Sequence, residues 1–193
     1  MKKVFLIHGW DGNPENAWFP WLKRKLKDKG MSVYSLSMPS PEKPEIEKWV
    51  GHLKKEIDKT GGLDSETFLV GHSIGCQTIL RYLEKVDDNT NIAGIVLVAP
   101  FFNLPNLETE EERIIAKPWL ENEIDFDKVR GKTGRIVCVF STDDPFVPLS
   151  DSETFEKELG AKILVEGNKG HFDNEKNVVE LPCVYEEIIE MIR

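Results

Sequence analysis

The chain of 193 residues carries 25 Lys and Arg against 34 Asp and Glu, a formal net charge of −9, with 40% hydrophobic and 31% charged residues. Those proportions are those of a water-soluble globule of one domain's length. The acidity opposes nucleic acid and anionic membrane as partners, since both need a basic footprint.

Val4 to Ile7 is a short continuous apolar run, the pattern of a parallel strand covered on both faces. It is too short for a signal peptide or a membrane span. His8-Gly9-Trp10-Asp11-Gly12-Asn13-Pro14 follows as a loop. Pro20 suits the first turn of a helix whose inward stripe is Leu22 and Leu26 and whose stop is Gly30. Ser32 to Leu36 reads as a second strand and the proline-rich Met38 to Pro44 as a loop. Ile46, Trp49, Val50, Leu53 and Ile57 recur at helical spacing, so Glu45 to Lys59 is an amphipathic helix.

Thr67 to Val70 is a third strand, and an apolar-periodic helix runs from Cys76 to Val86. Ile92 to Val98 is a fourth strand, ending in Ala99-Pro100-Phe101-Phe102. Leu104 to Thr133 is the least legible region: Glu108 to Ala116 and Asp125 to Arg130 read as short helices, with Glu108 to Glu112 a solvated acidic face. Ile136 to Phe140 is a fifth strand, Ser152 to Leu159 a helix, Lys162 to Val165 a sixth strand and Cys183 to Ile192 a last helix.

This alternation predicts an α/β fold over residues 1–193 as one domain: a six-stranded, mostly parallel, doubly wound sheet with helices on both faces. Cys76, Cys138 and Cys183 lie far apart in apolar runs, with no Cys-x-x-Cys pair. They read as free thiols of a reducing, cytoplasmic compartment, and they give a structural zinc site no support.

The chemistry concentrates at Gly71-His72-Ser73-Ile74-Gly75, between the third strand and its helix. Strand, tight turn with a serine at its apex, helix is the context of a nucleophile elbow. The loops after strands one, three, five and six all reach one sheet edge. They carry His8-Gly9-Trp10, Ser73, Asp143-Asp144 and His171. A serine hydroxyl needs an imidazole to take its proton and a carboxylate to hold that imidazole. His171, beside the flexible Gly170, is the favoured base. His8 reads as support for its own loop, His72 must point away from Ser73, and His52 sits on a helix far from the edge. Asp144, before Pro145, is the favoured carboxylate, with Asp143 as its rival and Asp173 as a local turn former. The backbone N–H groups of Ile74 and Trp10 are candidates for an oxyanion hole. Phe101, Phe102, Trp119 and Phe146 are candidate pocket walls with an equally good reading as core.

At these residues the chain resembles the α/β-hydrolase superfamily, and within it the small serine hydrolases grouped with retinoblastoma-binding protein 9 and the YdeN-type bacterial proteins. The resemblance rests on His8-Gly9-Trp10, Trp18-Phe19-Pro20-Trp21-Leu22, Met38-Pro39-Ser40-Pro41, the serine pentapeptide, Asp143-Asp144-Pro145-Phe146-Val147-Pro148 and Gly170-His171-Phe172. It implies a compact hydrolase fold without a large lid domain, a triad at Ser73, Asp144 and His171, and esterase-like activity. The retinoblastoma connection does not carry over. Leu181-Pro182-Cys183-Val184-Tyr185-Glu186 sets the acid one place too late for Leu-x-Cys-x-Glu.

The expected reaction is hydrolysis of small carboxylic esters, with thioesters and activated amides open, through an acyl-enzyme on Ser73 and with no metal or organic cofactor. The expected partner is a small acyl substrate. A non-catalytic binding protein with a vestigial pocket and an acyltransferase are the alternatives, because fold and motif alone do not establish turnover.

Overall fold

The computed structural model describes residues 1–193. Its strands are β1 (Lys3–Ile7), β2 (Ser32–Leu36), β3 (Thr67–His72), β4 (Gly94–Val98), β5 (Ile136–Ser141) and β6 (Lys162–Glu166). They form one sheet in the order β2-β1-β3-β4-β5-β6, and every neighbouring pair is parallel. The four central strands are buried along their whole length, while β2 and β6 at the edges are only partly covered. Continuous apolar runs such as Val4-Phe5-Leu6-Ile7 follow from that: a strand with helices above and below has no wet face on which to place a polar residue.

The helices are α1 (Phe19–Asp28), α2 (Ile46–Asp58), α3 (Ile74–Leu83), α4 (Glu110–Glu121), α5 (Phe126–Arg130), α6 (Asp151–Leu159) and α7 (Pro182–Ile192). Right-handed crossovers decide their faces. From β1 the chain steps outward to β2 through α1; every later crossover runs the other way across the sheet. So α1 lies on one face and α2, α3, α5 and α6 on the other. The contacts agree: α1 touches α7, whereas α2 packs on α3, α3 on α5 and α5 on α6. The direction in which strands are added therefore reverses between β1 and β3. In open α/β sheets the crevice beyond the carboxyl ends of two such strands is where ligands bind.

The sequence reading differs from the structure mainly in the insertion between β4 and β5. α4 runs to Glu121, past the expected end at Ala116 and through Pro118. Its start is fixed by a capping box, in which Thr109 and Glu112 satisfy each other's amides. Its end is held by the buried Arg81 of α3, whose Nη2 donates to the carbonyls of Trp119 at 2.9 Å and Asn122 at 2.7 Å. Pro118, with no N–H, leaves the Ile114 carbonyl without its helical partner, and Ile114 is exposed. No helix is long and apolar enough to cross a membrane.

Candidate active site

Ser73 alone makes the turn between β3 and α3, with φ 53° and ψ −120°. A non-glycine residue there is strained by roughly 1–3 kcal/mol and persists only where its surroundings dictate it. Here they do. The Ser73 amide donates to the Val98 carbonyl at the end of β4, 2.9 Å away. A Cβ on Gly71 would lie 2.7 Å from the Cys76 amide, and one on Gly75 only 2.3 Å from the Ile7 carbonyl oxygen. Both flanking positions therefore admit glycine alone, and the close approach at Gly75 seats the start of α3 directly on the end of β1.

The loop after β1 passes just as close. A Cβ on Gly9 would sit 3.1 Å from the Ser73 Cβ. Its shape is held by His8, which is buried and bonds twice: Nδ1 to the Gly9 carbonyl at 2.8 Å, and Nε2 accepting the Met38 amide at 3.0 Å. Accepting at Nε2 requires the proton on Nδ1, and burial lowers the pKa, so this ring is neutral. The Trp10 amide makes no backbone hydrogen bond, and the Ile74 amide opens α3, where first-turn N–H groups lack intrahelical partners. Both residues line the same cavity as Ser73.

The other two loops bring the acid and the imidazole together. The Asp144 side chain, 2% exposed, lies with Oδ2 at 2.9 Å and Oδ1 at 3.1 Å from His171 Nδ1. Its Oδ1 also accepts the amides of Phe146 and Val147, so the carboxylate is fixed before the imidazole arrives. Asp143 points elsewhere: it accepts from Ser141 Oγ, from the Gly170 amide at 2.7 Å and from Lys176 Nζ at 2.9 Å. The Lys176 ammonium, then the Gly170 N–H, hold its carboxyl down to about 2. Of the two neighbouring acids, Asp144 grips the ring and Asp143 braces the loop that carries it.

With Nδ1 on the carboxylate, Nε2 is the nitrogen of His171 left to exchange a proton. His171 and Ser73 line one cavity of ≈ 720 Å³, although no hydrogen bond joins the Ser73 hydroxyl to the ring. Such contacts are commonly long before substrate binds.

A family model described as serine hydrolase matches residues 4–190. The chain belongs to this serine hydrolase family. It is 33% identical to the YdeN protein of Bacillus subtilis (strain 168) over 186 residues, 96% of this chain and 93% of that one. Serine hydrolase RBBP9 of Rattus norvegicus is 26% identical over 163 residues, 82% of this chain and 80% of that one. The crystal structure of the B. subtilis ydeN product superposes with a TM-score of 0.90 at 30% identity, covering 100% of this chain and 99% of that one. Est1E from Butyrivibrio proteoclasticus with ferulic acid bound matches in fold, with a TM-score of 0.78 at 17% identity, covering 100% of this chain and 90% of Est1E. The α/β-hydrolase fold and the resemblance to small YdeN-type and RBBP9-type hydrolases stand.

The aromatic residues sort less well. Phe146 lines the cavity of this serine hydrolase, its ring edge-on to His171 at 5.2 Å. The other three candidates are structural. Phe101 is fully buried in the core. Trp119 is buried too, its indole donating to the Pro44 carbonyl. Phe102 stacks on Phe155 at 4.3 Å and meets Phe126, closing the core beneath α5 and α6. An aromatic just past a strand end can turn either way, and here the short cap formed by α4 and α5 supplies a hydrophobic underside to receive them. The acidic start of the cap is exposed at Glu108, Glu110 and Glu111, as a solvated face requires. Thr109, Glu111 and Glu112 line the cavity together with Leu107 and Ile115.

Sequence reasoning placed His72 away from Ser73 and gave it no task. The structure shows one. His72 Nε2 lies 2.7 Å from the His171 carbonyl oxygen, with the two rings 4.9 Å apart. Burial, then the nearby His171, push its pKa down to about 3, so the ring is neutral and Nε2–H donates. The histidine inside the serine pentapeptide, next to Ser73, is the signal the sequence offers.

Proposed function

We propose that this serine hydrolase cleaves small carboxylic esters through an acyl-enzyme on Ser73. His171 Nε2 takes the Ser73 hydroxyl proton as Oγ adds to the ester carbonyl, and Asp144 stabilises the resulting imidazolium. The amides of Ile74 and Trp10 receive the oxyanion. Collapse breaks the bond to the alcohol oxygen, and the alcohol leaves with the proton from His171. Water then adds to the acyl carbon and gives its proton to the same nitrogen. That proton returns to Ser73 Oγ as the carboxylic acid departs. The sum is ester plus water to acid plus alcohol.

The observation that carries this reading is the Asp144-held ring of His171 in the same cavity as a strained Ser73. The ferulic acid bound to Est1E, a carboxylic acid in a related fold, fits an ester as substrate. A purely binding protein gains nothing from a serine at φ 53°, where glycine would relieve the backbone strain. The buried free thiols of Cys76 and Cys138, held well above their usual range by burial, support a reducing, cytoplasmic setting.

The test is labelling with a neutral fluorophosphonate beside hydrolysis of p-nitrophenyl esters of increasing acyl length. Wild type is expected to label and turn over, and Ser73→Ala to do neither. Equal labelling of the two would remove Ser73 from the role.

A further inference from the structure

The mouth of the cavity is lined by Asp11, Glu42, Glu111, Glu112, Asp173 and Glu175. The only ammonium among the lining residues is Lys43, and no arginine lines it. These acids come from four separate stretches: the loop after β1, the loop after β2, the cap, and the loop after β6. None of them belongs to an ion pair, although acids in three of the same stretches do: Glu15 with Lys23, Glu45 with Lys48 and Glu110 with Arg113. Two rim carboxylates are also fixed in place. Glu112 accepts the amides of Glu108 and Thr109, and Asp173 accepts that of Glu175.

From this arrangement, and resting on the reading of Ser73 as nucleophile, we propose that the site selects esters carrying a positive charge beyond the scissile bond, and rejects anionic ones, polyphosphorylated thioesters of the acyl-CoA type included. A cleft lined by charge of one sign concentrates ligands of the other sign and repels its own. Six carboxylates outside any ion pair, against one ammonium, set that field. An anionic head group would need Arg or Lys donors at the mouth, and it would find Lys43 alone. The apolar side of the cavity, at Leu104, Leu107, Ile115 and Phe146, is left for the acyl chain.

The experiment compares p-nitrophenyl esters of matched chain length ending in a trimethylammonium, a tert-butyl or a carboxylate group, together with an acyl-CoA. At low ionic strength kcat/KM is expected to fall from cation to neutral to anion, by about tenfold or more between the extremes. The spread should shrink as sodium chloride is added. The double variant Glu111→Gln, Glu175→Gln should narrow the cation-to-anion ratio, each rate being normalised to that variant's own rate on the neutral ester. A flat or reversed series at low salt, or acyl-CoA cleaved as fast as the neutral ester, overturns the proposal. Labelling of Ser73 by the neutral fluorophosphonate separates the two levels. Labelling with a flat series removes charge selection only; no labelling removes the hydrolase reading and the selection with it.

Discussion

His72 Nε2 donates to the carbonyl of His171 across 2.7 Å, so the residue preceding the candidate nucleophile holds the backbone of the candidate base. The link ties the elbow to a loop that no strand or helix supports between Gly167 and Leu181. His72→Phe keeps a ring in the space and removes the donor, leaving a buried carbonyl without a partner at a cost of about 1–3 kcal/mol. The larger consequence is positional. An imidazole displaced by a fraction of an ångström to 1 Å loses on the order of 10²-fold in rate. The expected signature is a fall in kcat with KM little changed, restored in large part by His72→Gln, whose amide nitrogen has about the reach of Nε2. A fall in KM affinity without loss of kcat would assign His72 to substrate binding.

The same residue predicts an acid limb of stability. In the unfolded chain a histidine titrates near 6.5; in the fold, burial and His171 hold His72 at about 3. Above the unfolded value both states are neutral and pH has no effect through this group. As pH falls from about 6.5 toward 3, the unfolded state binds a proton that the folded state refuses, so stability declines by up to roughly 1.4 kcal/mol per pH unit. His8, lowered by burial, adds in the same direction. Thermal melts between pH 6.5 and about 5.5, above most carboxylate titration, should show Tm dropping with pH, and His72→Gln should have the shallower slope. Parallel slopes would mean that His72 is protonated in the fold.

Two adjacent acids divide one task. Asp144→Asn exchanges an acceptor for an amide facing His171 Nδ1, favours the wrong tautomer, and is expected to remove roughly 10³–10⁴ in kcat. Asp143→Asn retains an acceptor for the Gly170 amide and loses only the ionic partner of Lys176. A loss of about tenfold or less is expected there, since the ring keeps its own carboxylate and an exposed ion pair contributes little. Rates on one activated ester for both variants decide the assignment. A larger loss at Asp143 would reverse it.

The parallel sheet and the meeting of four loops at one edge were legible because alternating strands and helices leave little choice. Continuous apolar runs mark doubly covered strands, and all their carboxyl ends share an edge. Which neighbour did what was not legible. Asp143 and Asp144 look alike in sequence, and only the amides of Phe146, Val147 and Gly170 sort them. Nor could the chain announce that Arg81, on α3, would extend α4 past Pro118, because that contact spans the cap. The capping box was written plainly in Thr109-x-x-Glu112, whereas the end of the helix depended on a residue far away in sequence.

Two glycines separate what the fold needs from what the chemistry needs. At Gly75 an added Cβ would fall 2.3 Å from the Ile7 carbonyl oxygen and 2.7 Å from that of His8, both backbone atoms of the sheet. Neither can yield without parting α3 from β1. Gly75→Ala is therefore expected to destabilise the protein by at least the 1–3 kcal/mol of an overpacked core. At Gly9 the added Cβ would lie 3.0 Å from His72 Nδ1 and 3.1 Å from the Ser73 Cβ. Those contacts are tight by only a few tenths of an ångström, far less than the overlap at Gly75. Gly9→Ala should then fold with near-normal stability, yet push His72 off the His171 carbonyl and Ser73 off its line to the imidazole. Urea denaturation and ester kinetics on the two variants test the distinction. Gly75→Ala should lose denaturation midpoint, and Gly9→Ala should keep its midpoint while losing at least tenfold in kcat. Retention of full kcat in Gly9→Ala would show that the loop after β1 gives way and that its closeness to Ser73 is not what aligns the hydroxyl.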